Sequence, residues 1–375
     1  MRVIIYESSS FGGCFHYALS LHQAYQADER IESVHLLVPH GTEYQAPGVL
    51  SLLSNDQPST QNSLGRKWTF VWRQLASPVR LYLYLRRQPS SIVIINDFEQ
   101  LTAPLWVPLL RRLKRRHQFV LVLHDPDRDA YPPSVVYAGF TMRLIVSLMD
   151  LVLYHEYLPD KPYYKVPEAT RFVSIPHGIY SPHEPDQHLL ENITQRAEAR
   201  NVISIIGNIR QEKNYDVAIQ ALKFLPDVQL LIAGNAAHSG VDVEALRTMA
   251  VEHGVADQVI WIERYLTDEE MAAAIIKSDV ILLYYRSSFA SQSGILNLIA
   301  PFRKPVIIAD SQSSLAQVAR TYGLGKLVAP DQLPALVSAI QEVLTTPEVA
   351  QQGWPAYTAY ASWQTHVDNV LDALT

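Results

Sequence analysis

Short apolar runs of four or five residues recur along this chain with longer, helix-patterned stretches between them, and that alternation limits the folds open to it. In the first half the runs lie at 3–6, 34–38, 92–95, 119–123, 151–154 and 172–175. In the second half they lie at 202–206, 228–232, 259–262, 280–284 and 306–309. They are rich in Val, Ile and Leu without polar alternation, as expected of strands covered on both faces, so the pattern predicts parallel sheets flanked by helices. A length of 375 residues exceeds one ordinary core and predicts two domains. The stretch 181–201 is polar, carries Pro182 and Pro185 at its start and is poor in β-branched residues, which marks it as a linker with room for one helix. The expected fold class is therefore α/β, with two Rossmann-like doubly wound domains over 1–185 and 200–346 and a ligand cleft between their strand carboxyl ends. Residues 347–375, with Trp354, Tyr357, Tyr360 and Trp363 at helical spacings, are expected to form a helical tail on a domain surface.

Composition excludes several classes. Hydrophobic content of 48% with 18% charge describes a globular chain. A net charge of −6 argues against whole-domain nucleic-acid binding. Cys14 is the only cysteine, so neither an intramolecular disulfide nor a thiolate metal cluster is expected, and a reducing compartment fits. The opening MRVIIYESSS carries too short an apolar run for a signal peptide, and no run is long enough to span a bilayer. A cytoplasmic protein is expected.

The segment VISIIGNIRQEKNYD, 202–216, is the most informative for function. A buried strand ends at Gly207-Asn208, the turn presents Arg210 and Lys213, and a helix is expected over 217–225. After the strand at 280–284, a small polar loop runs through Tyr285, Arg286, Ser287, Ser291, Gln292, Ser293 and Gly294 into a helix over 295–299. Two cations beside a helix start, whose amides point outward unpaired, suit a diphosphate. Gly12 and Gly13, between the first strand and a helix over 16–25, read either as a plain turn or as a point of close backbone approach to a bound ligand. They lack the G-x-G-x-x-G spacing of a dinucleotide fold.

Taken in order, these residues resemble the retaining glycosyltransferases of the two-domain GT-B fold, especially the large fourth family of nucleotide-sugar-dependent enzymes. Gly207 to Asn214 is similar to the family's glycine, arginine and lysine turn, Leu231-Ile232-Ala233-Gly234 to its I-A-G strand end, and Ser278-Asp279-Val280 to its A-D-V. Ser291-Gln292-Ser293-Gly294 is similar to the variant in which S-G opens the phosphate-binding helix. Gly12-Gly13, His124 and Ile175-Pro176-His177-Gly178 fall in the family order. The resemblance implies transfer of a sugar from a nucleotide-diphosphate sugar to an acceptor hydroxyl, with retention, in polysaccharide or glycolipid synthesis. Gly207, Asn208, Arg210, Lys213, Tyr285, Ser291, Gln292, Ser293 and Gly294 would hold the donor; Gly12, Gly13 and Asp125 would meet the acceptor; His124, Arg210 and Lys213 would act in catalysis. His124 would lie near the transferred sugar, as a hydrogen-bonding group and not necessarily a general base.

No metal or other cofactor is expected, since the two cations already neutralise the diphosphate. The acidic triplets at 125–127 and 127–129 read as a solvated loop. One departure is plain: where the family carries two glutamates eight positions apart, one of them gripping the donor ribose, this chain has Ser291 and Ile299. A catalytically silent homologue, acting as sugar-nucleotide sensor or partner subunit, is the alternative. The segment 65–87 interleaves aromatic and basic residues, and 111–116 adds a basic run. Amphipathic helices with charged outer stems account for them; peripheral docking on an anionic membrane, where a lipid-linked acceptor would lie, is the second reading.

Overall fold

The computed structural model describes residues 1–56, 63–129, 132–165, 170–236 and 240–375, the stretch 63–71 by its backbone alone. The chain divides into two compact units, Met1–Gly178 with Trp363–Thr375, and Ile179–Ser362.

The first unit is built on strands β1 (Arg2–Tyr6), β2 (Ser33–Pro39), β3 (Val49–Leu53), β4 (Ile92–Ile95), β5 (Gln118–Leu123), β6 (Leu151–Tyr154) and β7 (Arg171–Ser174). They form one sheet in the order β3-β2-β1-β4-β5-β6-β7, with every pair parallel. Helices α1 (Gly12–Ala27), α2 (Ser63–Leu85), α3 (Ala103–Arg111) and α4 (Val135–Leu148) belong to this unit. Because side chains alternate across a strand, each apolar run feeds two cores. Ile4, Tyr6, Val93, Ile95, Phe119 and Leu121 pack on one face, and Val3, Ile5, Ile92, Ile94, Val120 and Val122 on the other.

The second unit contains α5 (Gln187–Ala197), β8 (Asn201–Ile206), α6 (Tyr215–Ala221), β9 (Val228–Ala233), α7 (Val243–Glu252), β10 (Val259–Ile262), α8 (Asp268–Lys277), β11 (Val280–Leu283), α9 (Gly294–Ile299), β12 (Val306–Ala309), α10 (Ser314–Tyr322), β13 (Lys326–Val328), α11 (Leu333–Thr345) and α12 (Trp354–Tyr360). Its sheet runs β10-β9-β8-β11-β12-β13, again parallel throughout. Ser204 is the one buried polar residue of β8; its hydroxyl lies 2.6 Å from that of Ser278, and Asp279 accepts the Val202 amide at 2.7 Å. The Ser-Asp pair before β11 is thus structural, tying two neighbouring strands together.

Two regions add to expectation. The helix within 181–201 is α5, and it sends Leu189, Ile193 and Ala197 into the second unit's core. The tail from 347 onward is not one appendage. Trp354 and Tyr357 of α12 are buried in the second unit, whereas α13 (Trp363–Leu374) packs Val367, Val370 and Leu371 into the core of the first. Gly178, at φ +84°, abuts α13: a Cβ there would meet the Trp363 ring at 2.5 Å.

Candidate functional sites

In both sheets the strand order reverses beside the first strand of the unit, between β1 and β4 and between β8 and β11. Loops leaving the carboxyl ends at such a reversal diverge and open a crevice where α/β sheets bind ligands.

In the second unit the loop after β8 begins at Gly207, with φ +87°. A Cβ there would lie 2.7 Å from Ile295 Cδ1 and 3.3 Å from Lys213 Nζ, so this glycine lets the cation and α9 close on the turn. Gly234, at the end of β9, has the same logic, since its Cβ would fall 2.2 Å from the Gly207 carbonyl oxygen. Arg210 stands exposed in extended conformation before a single 3₁₀ turn, Gln211–Lys213. Lys213 folds inward: it is 8% exposed and donates to the Ile206 carbonyl at 2.6 Å. Burial, and then the neighbouring Arg210, push its ammonium down to about 7. Asn208 is exposed.

The loop after β11 is fastened to this turn. The Arg286 guanidinium donates to the Gln211 carbonyl at 3.1 Å and to Asp216 at 2.7 Å, while its backbone N–H donates to Glu212. Asp331 accepts from Asn214 Nδ2 at 2.8 Å and from the Ser287 amide at 3.1 Å, holding Asn214 in its left-handed conformation. Arg286 is therefore a brace between loop and turn, its charge spent on Asp216. Tyr285 is buried, stacks on Phe289 at 4.1 Å and hydrogen-bonds with Ser293 Oγ at 2.9 Å. Gln292 accepts the Ser293 amide, and the Ser291 carbonyl takes the Leu315 amide. The Ser293 hydroxyl, engaged with Tyr285, makes no cap to α9, a helix of six residues that opens at Gly294. Ile299, at one of the two positions where the resembling family carries glutamate, is fully buried.

In the first unit α1 opens at Gly12, with φ +83°, and open space lies beside both Gly12 and Gly13. Behind them runs a hydrogen-bonded row. Glu7 accepts from the Ser9 amide at 2.8 Å and from Asn96 Nδ2 at 2.5 Å; Asn96 Nδ2 also donates to the Cys14 carbonyl, and Asn96 Oδ1 meets His124 Nε2 at 3.0 Å. Burial, with Asp97 adding to it, raises the Glu7 carboxyl well above the usual range. Next to His124 stand His155 and His177, ring centroids 5.5 and 6.2 Å away, around the ring of Tyr17. The Tyr17 hydroxyl is paired with His366 Nε2 of α13 at 2.6 Å. Burial lowers all four imidazoles, His124 and His366 to about 3, His177 to about 4 and His155 well below the ordinary value, so they are neutral at pH 7. Asp127 and Asp129, read from the sequence as a solvated loop, are bridged by Lys161 at 3.1 and 2.6 Å; the Asp125 carboxylate takes the Asp127 amide.

Glu7, Asn96, His155, Tyr17 and His366 were absent from the sequence reading. A signal existed for three of them: Glu7, Asn96 and His155, like His124, are each the first residue after a buried strand.

For the basic and aromatic segment, side chains 65–71 lie outside the described residues. Beyond them, α2 buries Leu81 and Leu85 and exposes Trp72, Val79 and Leu83. No helix among the described residues is long and apolar enough to cross a membrane.

Residues 186–353 match the family model for glycosyl transferases, group 1. No curated protein sequence matches the chain. Several solved structures resemble it over its full length. Sucrose-phosphate synthase from Thermosynechococcus elongatus superposes with a TM-score of 0.69 at 16% identity, covering 100% of both chains. Anabaena HepE in complex with UDP and glucose gives 0.69 at 15%, also with 100% of both chains covered. A glycosyltransferase from Rickettsia africae gives 0.70 at 12%, covering 100% of this chain and 98% of its own. At such identities the likeness is one of fold.

Proposed function

We propose that this chain, a GT-B glycosyltransferase whose residues 186–353 belong to the glycosyl transferases group 1 family, moves a sugar from a nucleotide-diphosphate sugar to an acceptor hydroxyl with retention. The observation that carries the reading is the turn after β8, where an exposed Arg210 and an inward Lys213 stand beside Gly207 at the strand-order reversal.

The donor diphosphate sits against Arg210 and Lys213, with Gly207 and Asn208 giving close backbone approach and Tyr285 and Ser291 to Gly294 forming the opposite wall. As the bond from the anomeric carbon to phosphate breaks, negative charge grows on the leaving diphosphate, and fixed cations stabilise that growth more than the ground state. Arg210 brings a planar fork and Lys213 a compact ammonium. With these two cations the departing group needs no divalent ion. The departing phosphate takes the acceptor proton on the same face, so no protein nucleophile is required. Gly12, Gly13, Asp125 and His124 serve the acceptor, His124 through Nδ1 because Asn96 holds Nε2. A polysaccharide or glycolipid acceptor in the cytoplasm, reached at an anionic membrane face, completes the reading; neighbours solved with UDP and UDP-glucose support the donor class.

Thermal unfolding of wild type, Arg210→Ala and Lys213→Met with UDP, GDP and ADP tests the donor site. One diphosphate at 100 times its Kd should add about 2.7 kcal/mol to wild type and far less to either variant. The reading fails if none of the three stabilises wild type. Ile299 buried in place of a family glutamate favours one rival, a silent homologue that binds nucleotide without turning it over. Transfer or slow hydrolysis of the matching sugar nucleotide removes that rival; binding with no turnover in the presence of acceptor establishes it.

A further inference from the structure

His124, His155 and His177 come from connections that leave three adjacent strands of the first sheet, β5, β6 and β7, and a nitrogen of each lies within 4.8 Å of the other two. Nitrogens about 2.0–2.1 Å from one tetrahedral ion would stand about 3.3 Å apart, so the three rings would have to draw together by up to about 1.5 Å to form a ligand set.

Hydrogen bonding to two of the rings fixes which nitrogen keeps its lone pair. Asn96 spends its amide hydrogens on Glu7 and the Cys14 carbonyl, so its oxygen takes the proton of His124 Nε2 and leaves a lone pair on Nδ1. His155 Nδ1 is 3.3 Å from the Ile175 carbonyl, which only accepts, so the lone pair is on Nε2. That Nε2 is buried without a hydrogen-bond partner among the described residues. A buried acceptor left unpaired costs about 1–3 kcal/mol, an odd thing to keep beside two more imidazoles unless something binds there. A carboxamide and a backbone carbonyl behind the rings are also what orients metal-bound histidines. The Tyr17 hydroxyl does not serve as the missing partner, being held by His366.

We propose that His124, His155 and His177 bind one divalent late first-row metal ion of the Zn²⁺ class, with a fourth position left to a water or substrate oxygen. Three neutral imidazoles without a carboxylate favour such an ion over Mg²⁺ or Ca²⁺. The site belongs to the first unit and the diphosphate turn to the second, so it does not rest on the donor assignment. It does claim the same His124 nitrogen as an acceptor contact, so ion and sugar hydroxyl would meet there either in competition or through the fourth position.

Full-length protein stripped with chelator and titrated with Co²⁺ should take up one equivalent and show the strong visible absorption of four-coordinate cobalt, lost on adding Zn²⁺. His155→Gln and His177→Gln should each weaken Zn²⁺ binding at least tenfold and abolish the cobalt spectrum, while His183→Gln, on the second unit's surface, should change neither. Far-UV dichroism and thermal unfolding establish that the variants are folded; should His155→Gln not fold, His177→Gln and the wild-type spectrum decide. Absence of a four-coordinate spectrum in wild type, or undiminished affinity in folded His177→Gln, overturns the proposal.

Discussion

Lys213 makes donor binding a proton-linked event, and the size of the effect follows from its burial. In the free protein the ammonium is held down to about 7, first by burial and then by Arg210. A diphosphate placed against it supplies negative charge and returns the group to at least its ordinary value near 10.5. Binding above pH 7 must then recruit a proton, and the apparent Kd rises by a factor of 1 + 10^(pH − 7) until the bound-state value is approached. Between pH 6 and pH 9 this is about a hundredfold, or about 2.7 kcal/mol, whereas Arg210 stays charged throughout. The nucleotide contributes little, because its terminal phosphate loses its second proton near pH 6. Calorimetric titration with UDP, GDP or ADP at pH 7, 8 and 9, in two buffers of different ionisation enthalpy, reads both quantities. Wild type should take up about half a proton at pH 7 and nearly a whole one at pH 8. Lys213→Met should bind weakly, with no slope and no uptake. A wild-type Kd constant within threefold from pH 7 to 9, with no proton taken up, would refute the reasoning.

The same shift acts on stability: between about pH 7 and 10.5 the unfolded chain holds a proton on Lys213 that the folded chain does not, so ligand-free wild type should gain stability on that group's account as pH rises through this window. Lys213→Met should show a shallower rise in urea unfolding free energy over that range. Gly234→Ala should lose several kcal/mol, since its Cβ would strike the Gly207 carbonyl and the turn would have to move; denaturant unfolding measures the loss, and a loss below 1 kcal/mol would contradict the close approach. Restoring the family's carboxylates should be asymmetric: Ile299→Glu buries a charge and should unfold the protein or cost more than about 4 kcal/mol, whereas Ser291→Glu should fold, as thermal unfolding would show. Asp331→Ala should cost about 1–2 kcal/mol in chemical denaturation by stranding the amide of buried Asn214, since water replaces the lost partner of the exposed Ser287 amide.

The strand runs were readable because both sheets are covered on both faces, and continuous Val, Ile and Leu segments have few other uses. The two strands that escaped, β3 and β13, are both at sheet edges. Val49 and Leu50 are half-buried while Ser51 and Leu52 are exposed, and β13 spans three residues from Lys326, so neither carries the apolar signature of a central strand. The return of α13 to the first unit was illegible for another reason: Val367, Val370 and Leu371 give a helical face, but nothing in that periodicity says which core receives it. Spacing drew Arg210 and Lys213 as an equal pair of cations. The structure separates them into one exposed guanidinium and one buried ammonium, a difference set by the 3₁₀ turn that points Lys213 back at the Ile206 carbonyl.

The histidine cluster shows what a rule of position adds to a rule of spacing. Glu7, Asn96, His124 and His155 are separated in sequence by tens of residues, and no motif links them. Each, however, is the residue that follows a buried strand, at the ends of β1, β4, β5 and β6, and those four strands are consecutive in the sheet. Parallel neighbours about 4.8 Å apart put such residues in a row along one edge, however far apart they lie in the sequence. The contacts follow that row: Glu7 to Asn96, Asn96 to His124, then His124 beside His155. A chain read first for its strand order and then for its strand-end residues would therefore bring these four together before any coordinates, and would leave only His177 and the Tyr17–His366 pair to be found. Those three lie beyond the rule because His177 follows β7 after an intervening Ile175-Pro176 step, Tyr17 is on α1, and His366 arrives on a helix from the far end of the chain.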